Sequence, residues 1–183
     1  MAITIPVNSE SSGLDPAPGP FTPASFTDAE LAELAAGFES APASKIVQWA
    51  ADSFGPHLAL AASMTDAVLI DLAVKVAPAI EVVFIDTGYH FPETLETVER
   101  VRRRYGLNLR IMTVAPHDEE LWKVDPENCC SAVKVGQLDR ALAGKEAWMS
   151  GLRRDEAETR AGSPIVARDV RGGRWLIVIA YGC

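Results

Sequence analysis

The chain of 183 residues has only three cysteines and three histidines, and aromatic residues make up 7% of it. Three cysteines cannot all pair within one chain, and two of them, Cys129 and Cys130, are neighbours that would close a strained ring. A disulfide framework is therefore excluded as the organising device, and the adjacent pair points to metal or redox chemistry. No apolar run reaches the ~18–20 residues of a transmembrane helix. A basic segment followed by an apolar run is missing at the N-terminus, so the expected location is the cytoplasm. Basic residues are outnumbered, 17 Lys and Arg against 25 Asp and Glu, for a net charge of −8. That argues against a broad nucleic-acid surface, which is built from Lys and Arg, but leaves room for a local basic pocket. Internal repeats are absent.

What is there is a soluble composition, 48% hydrophobic and 23% charged, of a size that suits one domain. Residues 1–25 are rich in Pro, Ser and Gly and read as a flexible N-terminal tail; residues 26–183 read as a single α/β core. A helix is predicted from Thr27, where Thr27-Asp28-Ala29-Glu30 has the form of a capping box and Leu31, Leu34, Ala35 and Phe38 follow at helical spacing. A second is predicted from Pro42 to Phe54. Short apolar runs then alternate with helical patterns. The runs are His57–Ser63, Glu81–Asp86, Asn108–Val114, Ala147–Gly151 and Arg174–Tyr181, and the helices cover residues 67–75, 92–105 and 126–143. Strands alternating with helices predict βαβ units. Apolar strands without polar alternation predict a sheet covered on both faces. The fold class is thus an open, mostly parallel sheet with helices on both faces.

In such sheets ligands bind where strands end and helices begin. Ala62-Ser63-Met64-Thr65-Asp66 is one such place. Its backbone N–H groups and the Ser63 and Thr65 hydroxyls suit a phosphate or sulfate; the alternative is an ordinary helix N-cap. It is not a GxxxxGK[ST] loop. Ile85-Asp86-Thr87-Gly88-Tyr89-His90 is a second. Gly88 permits a tight turn or a close ligand approach, while His90 fits a hydrogen-bonded loop histidine. Arg153 and Arg154 follow a strand directly and suit sulfate or phosphate oxygens, unless Asp155, Glu156 or Glu158 take them up as surface pairs. Cys129 and Cys130 suit metal ligation, with Lys134 one helical turn later; the alternative is two buried apolar cysteines.

These segments together resemble the assimilatory adenylyl-sulfate/phosphoadenylyl-sulfate reductase family. The residues that carry the resemblance are Ala62 to Leu69, Ile85 to Thr94, Asn128-Cys129-Cys130, Trp148 to Glu156, and Thr159-Arg160-Ala161, over roughly residues 44–170. The resemblance implies an adenine-nucleotide α-hydrolase-like fold of the ATP-pyrophosphatase type. The substrate it implies is adenosine 5′-phosphosulfate or its 3′-phosphorylated form, reduced to sulfite and AMP with thioredoxin as electron donor. It places Ser63, Asp86, Thr87 and Gly88 around the nucleotide. Arg153, Arg154 and Arg160 fall on the phosphosulfate, and Lys134 lies between substrate and cluster. It implies a [4Fe–4S] cluster with Cys129 and Cys130 as ligands, a preference for the non-3′-phosphorylated substrate, and a possible homo-oligomer. The family reaction begins with a thiolate attacking the sulfate sulfur, after which AMP leaves and thioredoxin reduces the S-sulfocysteine.

The sequence also departs from the family. A second CxxC pair and a Glu-Cys-Gly-Leu-His-like tail are not found, so no catalytic nucleophile is identified. Two of four cluster ligands are assigned, and Cys183 lacks a matching context. An expected Arg-Lys reads Val133-Lys134, and an expected Pro-Leu reads Gln137-Leu138. The expectation for this chain is a C-terminally truncated reductase that binds nucleotide without turnover. The alternative is a non-catalytic adenine-nucleotide or phosphosulfate-binding module. An ATP-dependent ligase or thiolase is disfavoured, because the Ser63 loop lacks the paired glycines of a pyrophosphate-gripping loop.

Overall fold

A computed structural model describes residues 26–114, 131–169 and 173–179. Helix α1 (Asp28–Phe38) starts as its sequence dictates. The Glu30 N–H donates to Thr27 Oγ1 at 3.3 Å and the Thr27 N–H donates to Glu30 Oε2 at 2.7 Å, closing the capping box. Helix α2 (Ala43–Phe54) follows Pro42 and ends at Gly55, and a single 3₁₀ turn leads into strand β1 (Leu58–Ala61). Then come α3 (Val68–Val76), β2 (Glu81–Asp86), α4 (Pro92–Tyr105) and β3 (Asn108–Thr113). Gly106, at φ +60°, stops α4 in the left-handed conformation that glycine adopts without steric cost. Helix α5 (Ser131–Ala141) precedes β4 (Ala147–Ser150), and β5 (Val166–Arg168) and β6 (Trp175–Val178) complete the sheet. The expected tail, residues 1–25, and the first five residues of the expected 126–143 helix lie outside the described residues.

The strand order is β3-β2-β1-β4-β6-β5. All neighbours pair in parallel except β5 with β6, which are antiparallel. The three-residue β5 is an edge strand that the sequence reading does not contain. Inner strands alternate between two cores. Leu58, Leu60, Val82, Phe84, Met149, Trp175 and Ile177 face one side with α1, α2, α3 and α4, while Ala59, Val83 and Trp148 face the other with Leu138, Ala141 and Leu142. Both faces are apolar because both are covered by helices.

Aromatic rings lock α1 and α2 to the sheet. Trp175, fully buried, meets Phe26 at 5.0 Å between ring centroids, Phe54 at 5.9 Å and Trp49 at 6.2 Å. Such contacts contribute about 0.5–1.5 kcal/mol each beyond their area. The chain runs outward from β1 through β2 to β3, then returns to place β4 on the other side of β1. The carboxyl ends of β1 and β4 therefore flank the point where the winding reverses, which is where open α/β sheets form a crevice.

Candidate functional site

A cleft of about 250 Å³ opens at that reversal point. Its walls come from both strand ends, Ala61–Ser63 after β1 and Ser150–Arg153 after β4, with Thr65, Asp66, Lys134, Glu156 and Arg160 around them. Four residues separated by up to 97 positions in sequence, Ser63, Lys134, Arg153 and Arg160, are thus brought to one wall-set by the topology.

The β1–α3 turn is tightly organised. Met64 takes φ +60°, the only described non-glycine residue with positive φ, and buries its side chain in the core. A left-handed turn at a bulky residue costs free energy and persists only when packing over-determines it. Here the Met64 side chain acts as the anchor that turns Ser63 and Thr65 outward to the cleft. Their hydroxyl oxygens lie 2.7 Å apart. Neither caps α3. Asp66 Oδ1 instead accepts from the N–H of Val68, the first residue of α3, at 3.0 Å. The hydroxyl pair is thereby left lining the cleft rather than committed to the helix end.

The two adjacent arginines part company. Arg153 turns to the cleft, where its Nε donates to Glu156 Oε1 at 3.0 Å. Arg160 reaches the other oxygen of the same carboxylate, Oε2. Arg153 therefore holds the Glu156 carboxyl below its ordinary value, and Glu156 raises that of the Arg153 guanidinium in turn. Arg154 points away. It donates through Nη1 and Nη2 to both oxygens of Glu39, the C-cap of α1, at 2.8 and 2.7 Å, and through Nε to the Ser163 carbonyl at 2.8 Å. Arg154, expected alongside Arg153, is not among the residues walling the cleft, and three of its five N–H groups bond the scaffold.

Asp86, Thr87 and Gly88 end β2, one strand over from β1, and are not among the residues walling the cleft. Asp86 Oδ1 accepts from the Gly88 N–H at 2.9 Å, and Gly88 at φ +78° supplies the turn. Thr87 is buried, and the His90 ring lies 3.0 Å from the Ile85 carbonyl and stacks near Phe84. His90 is accordingly the hydrogen-bonded loop histidine of the plainer reading. Lys134 is exposed on the second turn of α5 and lines the cleft. Cys129, Cys130 and Cys183 lie outside the described residues.

Sequence reasoning missed the Asp66 carboxylate on the Val68 N–H at the start of α3 and Glu39 as the Arg154 partner. The first had a local signal, an Asp two residues before the helix. The second had none, because the partners are 115 positions apart. Three cations, Lys134, Arg153 and Arg160, face two carboxylates, Asp66 and Glu156, so the cleft keeps a positive balance on a chain that is acidic as a whole.

Comparison with known proteins places this geometry in context. Residues 56–177 match the family model described as phosphoadenosine phosphosulfate reductase domain. The chain is 44% identical over 144 residues to an adenosine 5′-phosphosulfate reductase of Streptomyces coelicolor, covering 74% of this chain and 61% of that protein. It is 42% identical over 135 residues to adenosine 5′-phosphosulfate reductase 1 of Bacillus subtilis, covering 68% and 58%. The chain thus spans about 60% of the length of these curated relatives. Among solved structures it superposes on the phosphoadenylyl-sulfate reductase of Candida auris in its phosphate complex, with a TM-score of 0.72 at 22% identity, covering 86% of this chain and 81% of that one. An FMN adenylyltransferase of Candida glabrata superposes with a TM-score of 0.54 at 12% identity, covering 84% and 58%. These two likenesses bear on the fold alone.

Proposed function

Given that the chain belongs to the phosphoadenosine phosphosulfate reductase domain family, we propose that its cleft binds adenosine 5′-phosphosulfate in the thioredoxin-dependent reduction of that compound to sulfite and AMP, in cytoplasmic sulfate assimilation. The observation that carries this reading is the convergence of Ser63, Thr65, Lys134, Arg153 and Arg160 on one cleft at the β1/β4 reversal. Guanidinium and ammonium donors suit the oxygens of a phosphosulfate. The names of the curated relatives favour the substrate without a 3′-phosphate.

The arginines' part in the reaction follows from charge. A thiolate attacking the sulfate sulfur is an anion approaching an anion. Positive groups fixed on the sulfate and phosphate oxygens lower that barrier and stabilise the departing phosphate of AMP. The new S–S bond forms as the S–O bond to AMP breaks, with the electron pair leaving on the phosphate oxygen. Two thioredoxin thiols then release sulfite and become a disulfide. Asp86, Thr87 and Gly88, at the neighbouring strand end, would border the nucleoside.

Cys129 and Cys130 have the donor chemistry of iron–sulfur ligands and immediately precede α5. In this reading they hold two of the four positions of a [4Fe–4S] cluster, which takes four thiolates. When bound, such a cluster supplies a site whose charge and potential are tuned by nearby hydrogen bonds and cations; Lys134, one turn into α5, is the cation this chain offers.

The test is calorimetry of the chain with adenosine 5′-phosphosulfate and AMP, followed by sulfite assay with thioredoxin and a reductant. Saturable binding with sulfite release supports the full reading. Binding without sulfite release supports the non-catalytic binding module instead, and absence of binding to either compound contradicts both.

A further inference from the structure

Glu156 is an unexpected member of an anion cleft. It is a carboxylate lining the wall beside Ser63, Lys134, Arg153 and Arg160. Each of its oxygens is taken by a different arginine, Oε1 by Arg153 and Oε2 by Arg160. It therefore stands where two guanidinium groups converge, and its pair of oxygens presents to them what two oxygens of a sulfate or phosphate would present.

We propose that Glu156 is the resident anion of the cleft: it holds Arg153 and Arg160 together until it is displaced from them by the sulfate or phosphate group of the ligand. The inference rests on the phosphosulfate reading and names a residue that sets affinity at that site. Without Glu156, the two cations would lose the carboxylate they share. With it, the arginines keep a convergent geometry until an anion of higher charge arrives.

The neighbouring pair shows why displacement is feasible here and not elsewhere. The Arg154–Glu39 pair is bidentate, is reinforced by the Ser163 carbonyl and ties the loop to α1 away from the cleft. The Glu156 contacts are made by one carboxylate shared between two arginines, each of whose side chains is over two-fifths exposed. Both pairs are exposed and such pairs are weak; what differs is that Glu39 takes two donors of one arginine, whereas Glu156 divides its oxygens between two. The loop thus carries one fixed clamp and one exchangeable clamp. Asp66 stands beside Arg153 as the other acidic group of the wall. Its carboxylate is committed to the start of α3.

The test compares the chain with its Glu156→Gln variant, which keeps the size of the side chain and removes the charge. The probes are inorganic sulfate and AMP, titrated by calorimetry, with folding monitored by circular dichroism. Sulfate is expected to bind Glu156→Gln about two- to tenfold tighter than the parent, the range set by losing two exposed ion pairs. The gain should vanish when Glu156→Gln is added to Arg153→Ala/Arg160→Ala. Equal or weaker sulfate binding by folded Glu156→Gln overturns the proposal and makes Glu156 a fixed strut. A second readout is the Arg153 Nε–H resonance. Saturating sulfate should shift it in the parent, and an unmoved resonance overturns the proposal. A parent chain that binds neither AMP nor adenosine 5′-phosphosulfate removes the phosphosulfate reading itself. In that case tighter sulfate binding by Glu156→Gln still supports the resident-anion role, and none counts against it.

Discussion

Arg154 Nη1 and Nη2 lie 2.8 and 2.7 Å from the two carboxylate oxygens of Glu39, so a residue next to the cleft is fastened to the first helix of the fold. The adjacent Arg153 faces the cleft. One arginine positions the loop and the other presents donors.

The pair predicts coupling. Arg154→Gln and Glu39→Gln should each lower unfolding stability by about 0.5–1 kcal/mol, the upper end for exposed pairs because the geometry is bidentate. The double variant should lose little more than either single one. Denaturant titration of the four proteins checks this; fully additive losses would mean the pair contributes nothing of its own.

Acid should weaken the same contact. Arg154 holds the Glu39 carboxyl below its ordinary value. A carboxylate with a depressed folded-state value contributes stability above its unfolded value of about 4.3 and loses it as pH falls through the folded value. The melting temperature of the parent should therefore fall more steeply than that of Glu39→Gln on going from about pH 5 to pH 3. Parallel curves would contradict the assignment.

Trp148 lies in β4 beneath the cleft, and its Nε1 donates to the buried Asp169 Oδ2 at 3.2 Å. Trp148→Phe removes that donor from a buried carboxylate, which also faces Arg174 Nη1 at 3.9 Å, so a loss of about 1 kcal/mol is expected. Thermal and denaturant unfolding measure it, and a change within error would show that Asp169 is satisfied without the indole.

Within the cleft, Arg153→Ala and Arg160→Ala should each weaken sulfate binding about ten- to a hundredfold, the range for a lost charged hydrogen bond. Arg154→Ala should act less, since Arg154 is not among the cleft residues and three of its five N–H groups serve Glu39 and Ser163. An Arg154 effect as large as that of Arg153 would mean that the Glu39 clamp opens when ligand binds.

Much of this was legible in the sequence because local patterns and tertiary demands agree. Glu81–Asp86 is apolar on both faces and becomes an inner strand; Thr27 and Glu30 form the cap that their spacing dictates. Ser63, Lys134, Arg153 and Arg160 were readable as candidates, and the winding of the sheet brings them to one cleft. Val166–Arg168 was not readable as a strand. It is three residues long, follows Gly162-Ser163-Pro164, and exists through antiparallel pairing with β6. The division of labour between Arg153 and Arg154 was equally hidden, because nothing local distinguishes two consecutive arginines. It is decided by Glu39, 115 positions away.

The cleft at the β1/β4 reversal is proposed as the phosphosulfate site. The direct measurement is calorimetry of adenosine 5′-phosphosulfate against the parent and Lys134→Ala/Arg153→Ala/Arg160→Ala, with both proteins shown to be folded. The parent should show saturable one-site binding and the triple variant at least a hundredfold loss, about 2.7 kcal/mol or more. Unchanged affinity in the folded triple variant would contradict it.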